Sequence, residues 1–121
     1  MPGLSIIVAG ADGRRLYAAL ETAMASAALG RPTRIFLQGE AVALLRAPVS
    51  FAGDAARRAA GQPDLAGMVE EAIAMEVGLF ACQSGMALAG LTTEEMAPQA
   101  RAAGLVSFLG GLGAGDRLVV Y

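Results

Sequence analysis

Short apolar runs that stop at glycine alternate, along the whole chain, with alanine- and leucine-rich stretches of helical spacing. Few architectures accommodate that order. It predicts an α/β fold: one three-layer domain over residues 1–121, with a mainly parallel sheet of about five strands and helices on both faces. Leu4-Ser5-Ile6-Ile7-Val8-Ala9 reads as a first buried strand that ends at the Gly10-Ala11-Asp12-Gly13 turn, where Asp12 can cap a helix. From Arg14 to about Leu29, Leu16, Leu20, Ala23 and Ala27 recur at helical spacing, and Gly30 and Pro32 end the helix. Thr33-Arg34-Ile35-Phe36-Leu37 reads as the second strand, closing at Gln38-Gly39, and Glu40 opens a short helical segment through Leu45.

Ala47 to Pro63 is the least regular stretch, a surface excursion with a helical turn expected at Asp54 to Ala60. Segments of that length are often functional or mobile. Asp64 can cap a third helix whose buried stripe is Leu65, Met68, Val69, Ala72, Ile73 and Val77, with Gly78 as its stop. Leu79-Phe80-Ala81-Cys82 reads as the third strand, followed at once by Gln83-Ser84-Gly85 and a small helix through Leu88. Thr92 and Glu95 resemble a capping box that opens a helix towards Ala103, kinked or offset by Pro98. Gly104 ends it, Leu105 to Leu109 reads as the fourth strand, Gly110 to Gly115 as a loop, and Asp116 to Tyr121 as the fifth strand.

Side-chain chemistry is constrained mainly by what is missing. The chain has no histidine, and all nine of its positive charges are arginine. Those absences exclude Ser-His-Asp and Cys-His pairs, imidazole metal ligands, a Schiff-base lysine and the lysine of a phosphate-binding loop. A single cysteine, Cys82, allows neither an internal disulfide nor a cysteine-rich metal site, and fits a reduced cytoplasmic setting. No metal and no cofactor is expected. Net charge of −2 argues against direct nucleic-acid binding, which rests on clustered positive charge. The amino terminus lacks the positive charge of a signal peptide, and the uncharged stretch Val77 to Thr93 carries too many polar residues and glycines for a membrane span. Hydrophobic residues make up 55% and charged ones 17%, against about a quarter charged in ordinary domains. Apolar surface in that excess suits burial against sister subunits.

In parallel sheets, ligands settle beyond the carboxyl ends of strands. Four segments are expected there: Gly10 to Asp12, Gln38 to Glu40, Cys82 to Ser84 and Gly110 to Gly113. Only Cys82 is nucleophilic. It ends a strand and precedes a helix, where free N–H groups favour a thiolate, with Ser84 and Gln83 as further donors. The bland alternative is a small buried hydrophobe, since free cysteine is often buried. Gly10-Ala11-Asp12-Gly13 falls short of a dinucleotide fingerprint, and the glycines from Gly110 to Gly115 lack the partners of a P-loop. Glu70 and Glu71 diverge around their helix, Arg57-Arg58 reads as a solvated face, and the methionines as core or interface filler.

The segment Leu79-Phe80-Ala81-Cys82-Gln83-Ser84-Gly85-Met86-Ala87-Leu88-Ala89-Gly90-Leu91 resembles the DsrE/DsrF-like family (YchN-like fold), whose members commonly carry an Ala-Cys-x-Ser-like step before a small-residue helix. The order of elements around it agrees over nearly the whole chain. The resemblance implies a compact domain that assembles as a homotrimer or homohexamer. It also implies a sulfur relay: some relatives carry sulfane sulfur as a cysteine persulfide in tRNA thiolation or sulfur oxidation, and their sulfur-bearing cysteine corresponds to Cys82. Sulfur donor and acceptor proteins or small thiols would be the partners. Two other readings stay open. One is a non-catalytic domain in which loops at Gly10, Asp12, Gln38, Gln83, Ser84 and Gly110 hold a small anionic ligand; the other is an oligomeric interaction subunit.

Overall fold

The computed structural model describes residues 1–121. Its order is β1 (Leu4–Ala9), α1 (Gly13–Ala28), β2 (Thr33–Gln38), a 3-10 segment (Gly39–Leu45), α2 (Asp54–Ala59), α3 (Leu65–Ala74), β3 (Gly78–Cys82), α4 (Gln83–Ala89), a 3-10 turn (Thr93–Glu95), β4 (Arg101–Ala103), α5 (Leu105–Gly110) and β5 (Arg117–Val120). All five strands run parallel in one sheet of order β4-β3-β2-β1-β5. The chain steps outward from β1 to β4, then crosses back to the far side of β1. Right-handed crossovers therefore place α1, α3 and α4 on one face and α5 on the other.

Strand alternation divides the core between those faces. Ile6 pairs in register with Ile35 and Val8 with Leu37, and all four are fully buried. Leu16, Leu20 and Ala23 of α1 and Leu65, Met68, Val69 and Ala72 of α3 are buried as their spacing predicts. Each large side chain removed from water there contributes about 1.5–3 kcal/mol. Both helices start at aspartate caps: Asp12 accepts from the Arg14 N–H at 2.9 Å, and Asp64 from the Gly67 N–H at 2.9 Å. The third helix stops earlier than Gly78. It ends at Ala74 because Glu76 adopts a left-handed backbone (φ 65°), so Val77 is buried beyond the helix and Gly78 opens β3.

The excursion from Ala47 to Pro63 is fastened down. Buried Asp54 accepts from the N–H groups of Phe51 (3.0 Å) and Leu65 (2.8 Å), joining the start of α2 to the start of α3. Tyr17 donates its hydroxyl to the Pro63 carbonyl at 2.9 Å while the Arg57 guanidinium lies 3.6 Å over its ring.

Two expectations fail between Thr92 and Leu109. The capping box exists, but it supports only the single turn Thr93–Glu95. Pro98 blocks further helix, and Arg101–Ala103 adds to the sheet beside β3 instead. Leu105 to Leu109 is helical, not a strand: it is α5, and Phe108 is its only buried residue. Phe108 packs on Phe36 (ring centroids 5.0 Å apart) and Phe80 (5.9 Å). Arg34 clamps the same helix, its guanidinium 4.2 Å over the Phe108 ring and donating to the Phe108 carbonyl (3.0 Å) and Ser5 Oγ (2.9 Å). Beyond α5 this face is thinly covered, and Leu118 and Val120 of β5 and Val106 of α5 stand exposed. No helix is long and apolar enough to cross a membrane.

Candidate functional site

β3 passes directly into α4, with Cys82 both the last residue of the strand and the cap of the helix, its backbone still extended (φ −61°, ψ 124°). The first turn of α4 is then set by a close approach. Gly85 lies against the 3-10 segment so tightly that a Cβ there would fall on the Gly39 carbonyl and 2.9 Å from Val42 Cγ2. Gly39 itself turns through a left-handed conformation (φ 58°), open to glycine at little steric cost. The two glycines together bring main chain from two separate segments around one sulfur atom.

Cys82 is 7% exposed. Its Sγ lies 3.1 Å from Ser84 Oγ. Burial pushes the thiol up, but the backbone N–H groups of Gly39, Gly85 and Ser84 and the Ser84 hydroxyl outweigh it and hold the thiol below its ordinary value. Each of those groups donates to a thiolate better than to a thiol, which is why they favour the charged form. The sulfur faces a cavity of about 430 Å³ lined by Gln38, Gly39, Cys82, Gln83, Ser84, Gly104 and Leu105. A nucleophile, hydrogen-bond donors and a reachable hollow coincide there. Two larger hollows lie elsewhere without a nucleophile, one by Glu76, Gln99 and Arg101, the other by Asp12, Arg14 and Phe51. No three His, Cys, Asp or Glu side chains converge as a metal site.

Of the residues singled out from sequence, Gln38, Cys82, Gln83 and Ser84 come together. Gly10 and Asp12 do not line this cavity: Gly10 forms a left-handed turn after β1 (φ 95°), and the Asp12 carboxylate is taken up by the Arg14 side chain and N–H, which lower its pKa. Gly110 lies at the opposite end of the sheet. Because Leu105 to Leu109 is a helix, the chain descends past Arg34 and delivers the Gly110 to Gly115 loop to the amino end of β5. The Gly110 loop therefore lies away from the Gly10 and Gln38 loops, which follow neighbouring strands. Gly39 falls within the Gln38 to Glu40 segment expected at the strand ends, whereas the sequence does not mark Gly85, Gly104 and Leu105 as site residues. A signal existed for Gly39, a glycine directly after a buried strand, but its N–H points at a sulfur 43 positions away, and only the fold supplies that neighbour.

No curated protein matches the sequence. Among solved structures the fold is similar to the ychN protein of E. coli, at 18% identity over 100% of both chains and a TM-score of 0.71. It is equally similar to MTH1491 of Methanobacterium thermoautotrophicum, a protein of unknown function, at 14% identity over 100% of both chains and a TM-score of 0.71. Identities that low bear on the fold alone. The sequence itself matches the model of the DsrE/DsrF-like family over residues 4–121, and the chain therefore belongs to the DsrE/DsrF-like family.

Proposed function

We propose that this chain is a small cytoplasmic sulfur-relay protein, one domain that carries sulfane sulfur as a persulfide on Cys82. Membership of the DsrE/DsrF-like family suggests a role related to sulfur relay. The observation that carries the finer reading is the convergence of three backbone N–H groups and the Ser84 hydroxyl on the Cys82 sulfur, at the wall of a cavity. In the loading step the Cys82 thiolate attacks the outer sulfur of a donor persulfide R–S–SH. A Cys82 S–S bond forms, the donor S–S bond breaks, its electron pair leaves as R–S⁻, and the proton stays on the transferred sulfur. An acceptor thiolate reverses the step, and with a single cysteine in the chain that acceptor is another protein or a small thiol. Gln38, Gln83 and Ser84 serve as polar contacts for the bound sulfur species. Exposed Val106, Leu118 and Val120 support assembly into a homotrimer or homohexamer.

The test is intact mass after incubation with polysulfide. The wild-type chain is expected to gain about 32 Da, the mass of one sulfur atom, reversibly on thiol treatment. Cys82→Ser is expected to gain nothing while keeping the wild-type melting curve. An unchanged wild-type mass would overturn the proposal.

A further inference from the structure

The cavity wall that the sulfur faces carries no charge. Its seven residues are Gln38, Gly39, Cys82, Gln83, Ser84, Gly104 and Leu105, and none of the nine arginines is among them. The only charged residue adjacent in sequence to any of the seven is Glu40, an exposed carboxylate of the wrong sign for holding an anion. Of the main-chain donors near this wall, the N–H groups of Gly39, Gly85 and Ser84 bear on Sγ itself. The two helices that begin at this wall, α4 and α5, contain no charged residue either, and they present Leu88 (82% exposed) and Val106 (87% exposed) to solvent.

Resting on the sulfur-carrier reading, we propose that the Cys82 cavity selects sulfur donors by charge, taking persulfides with an uncharged, apolar body and turning away thiosulfate and other multiply charged oxyanions. A thiolate already places one negative charge in the cavity, and an approaching dianion meets it with no cation to offset the repulsion. Thiosulfate would have to expel sulfite: the Cys82 thiolate would attack the outer sulfur, the S–S bond to the sulfonate sulfur would break, and SO₃²⁻ would leave with the electron pair. No guanidinium lines the wall to receive the three sulfonate oxygens. An alkyl persulfide instead expels a single thiolate and can lay its hydrocarbon body along uncharged wall.

Two measurements separate this inference from the reading it rests on. The first uses no sulfur donor: rates of Cys82 alkylation by neutral iodoacetamide and anionic iodoacetate, each divided by the rate for N-acetylcysteine amide at its own thiolate fraction. The protein is expected to disfavour iodoacetate by about tenfold or more relative to the small thiol. Gln83→Arg, an exposed position at the wall, is expected to shrink that ratio without altering the melting curve. Equal normalised rates for the two reagents would overturn the charge selection. The second compares loading by an uncharged alkyl hydropersulfide with loading by thiosulfate. Loading by the former alone supports the proposal, and equal normalised loading overturns it while leaving the carrier role standing. Failure of every donor, together with a preserved preference for iodoacetamide, would overturn the carrier role and leave an uncharged cavity that selects by charge.

Discussion

A buried thiol ordinarily loses acidity, because a low-dielectric surrounding penalises the thiolate. At Cys82 the balance runs the other way, since desolvation is outweighed by hydrogen bonds from Gly39, Gly85 and Ser84. Native-state alkylation as a function of pH is expected to give an apparent pKa below the model-thiol value of about 8.5. Ser84→Ala, which deletes the side-chain donor 3.1 Å from Sγ, is expected to raise it while the main-chain donors keep it below that of the unfolded chain. A thiol that reacts only after denaturation would contradict both. At this scale the sequence was informative about the nucleophile and mute about its surroundings. An Ala-Cys-x-Ser step at a strand-to-helix junction marks Cys82 and Ser84 as a pair. No local pattern announces that Gly39 and Gly85 close on the same atom, because their contact joins two segments distant along the chain.

The elements that position the site differ in how firmly they are held. β3 is paired on both sides, whereas α5, which supplies Leu105 to the cavity, rests on one aromatic cluster and one guanidinium. Phe108→Ala is expected to cost about 3–5 kcal/mol, as other large-to-small changes in cores do. Amide exchange is expected to quicken across Leu105–Gly110 more than across α1. A loss below about 1 kcal/mol would mean that Arg34 alone retains the helix. The residues of this segment do not by themselves reveal a helix. Leu105-Val106-Ser107-Phe108-Leu109 is apolar, short and β-branched at Val106, and runs of that length do not distinguish a buried strand from a buried helix. β4 was hidden for the opposite reason: Arg101-Ala102-Ala103 is only three residues of an edge strand, with no apolar alternation to give it away. The strongly periodic or fully buried segments, α1, α3, β1, β2 and β3, were legible because burial on both sides of a sheet or along one helical stripe leaves a pattern in the residues themselves.

For the molecule as a whole, the absence of histidine removes the side chain that most often titrates between about pH 5 and 8. The carboxylates govern the acid side. Asp12 is lowered by Arg14, Asp64 by the Gly67 N–H and Arg58, Glu95 by the Thr92 N–H and hydroxyl, and Asp116 by the N–H groups of Gly113 and Gly3. Each has a folded pKa below its unfolded one, so its contribution is complete above the unfolded value of about 4 and is lost as pH falls through the folded value. The melting temperature is therefore expected to fall steeply below about pH 4, after a smaller decline as pH drops from about 8.5 through the lowered Cys82 value; a melting temperature that holds level down to about pH 2 would contradict this. The second expectation concerns association. With Leu118, Val119 and Val120 all exposed on an edge strand, light scattering should give a mass of three or six chains if the proposed assembly is right. Val120→Lys should then shift the population towards smaller species, and a wild-type monomer at every concentration would sink the proposal.

Three of the four groups that lower the Cys82 pKa are peptide amides, drawn from the turn after β2 and from the first turn of α4. The acidity of the sulfur is accordingly not stored in any side chain that a substitution could trim away in full. It is a property of two backbones held in register, and whatever parts them by an ångström, whether heat, denaturant or a methyl group forced in at Gly85, should dull the nucleophile before the rest of the molecule comes apart.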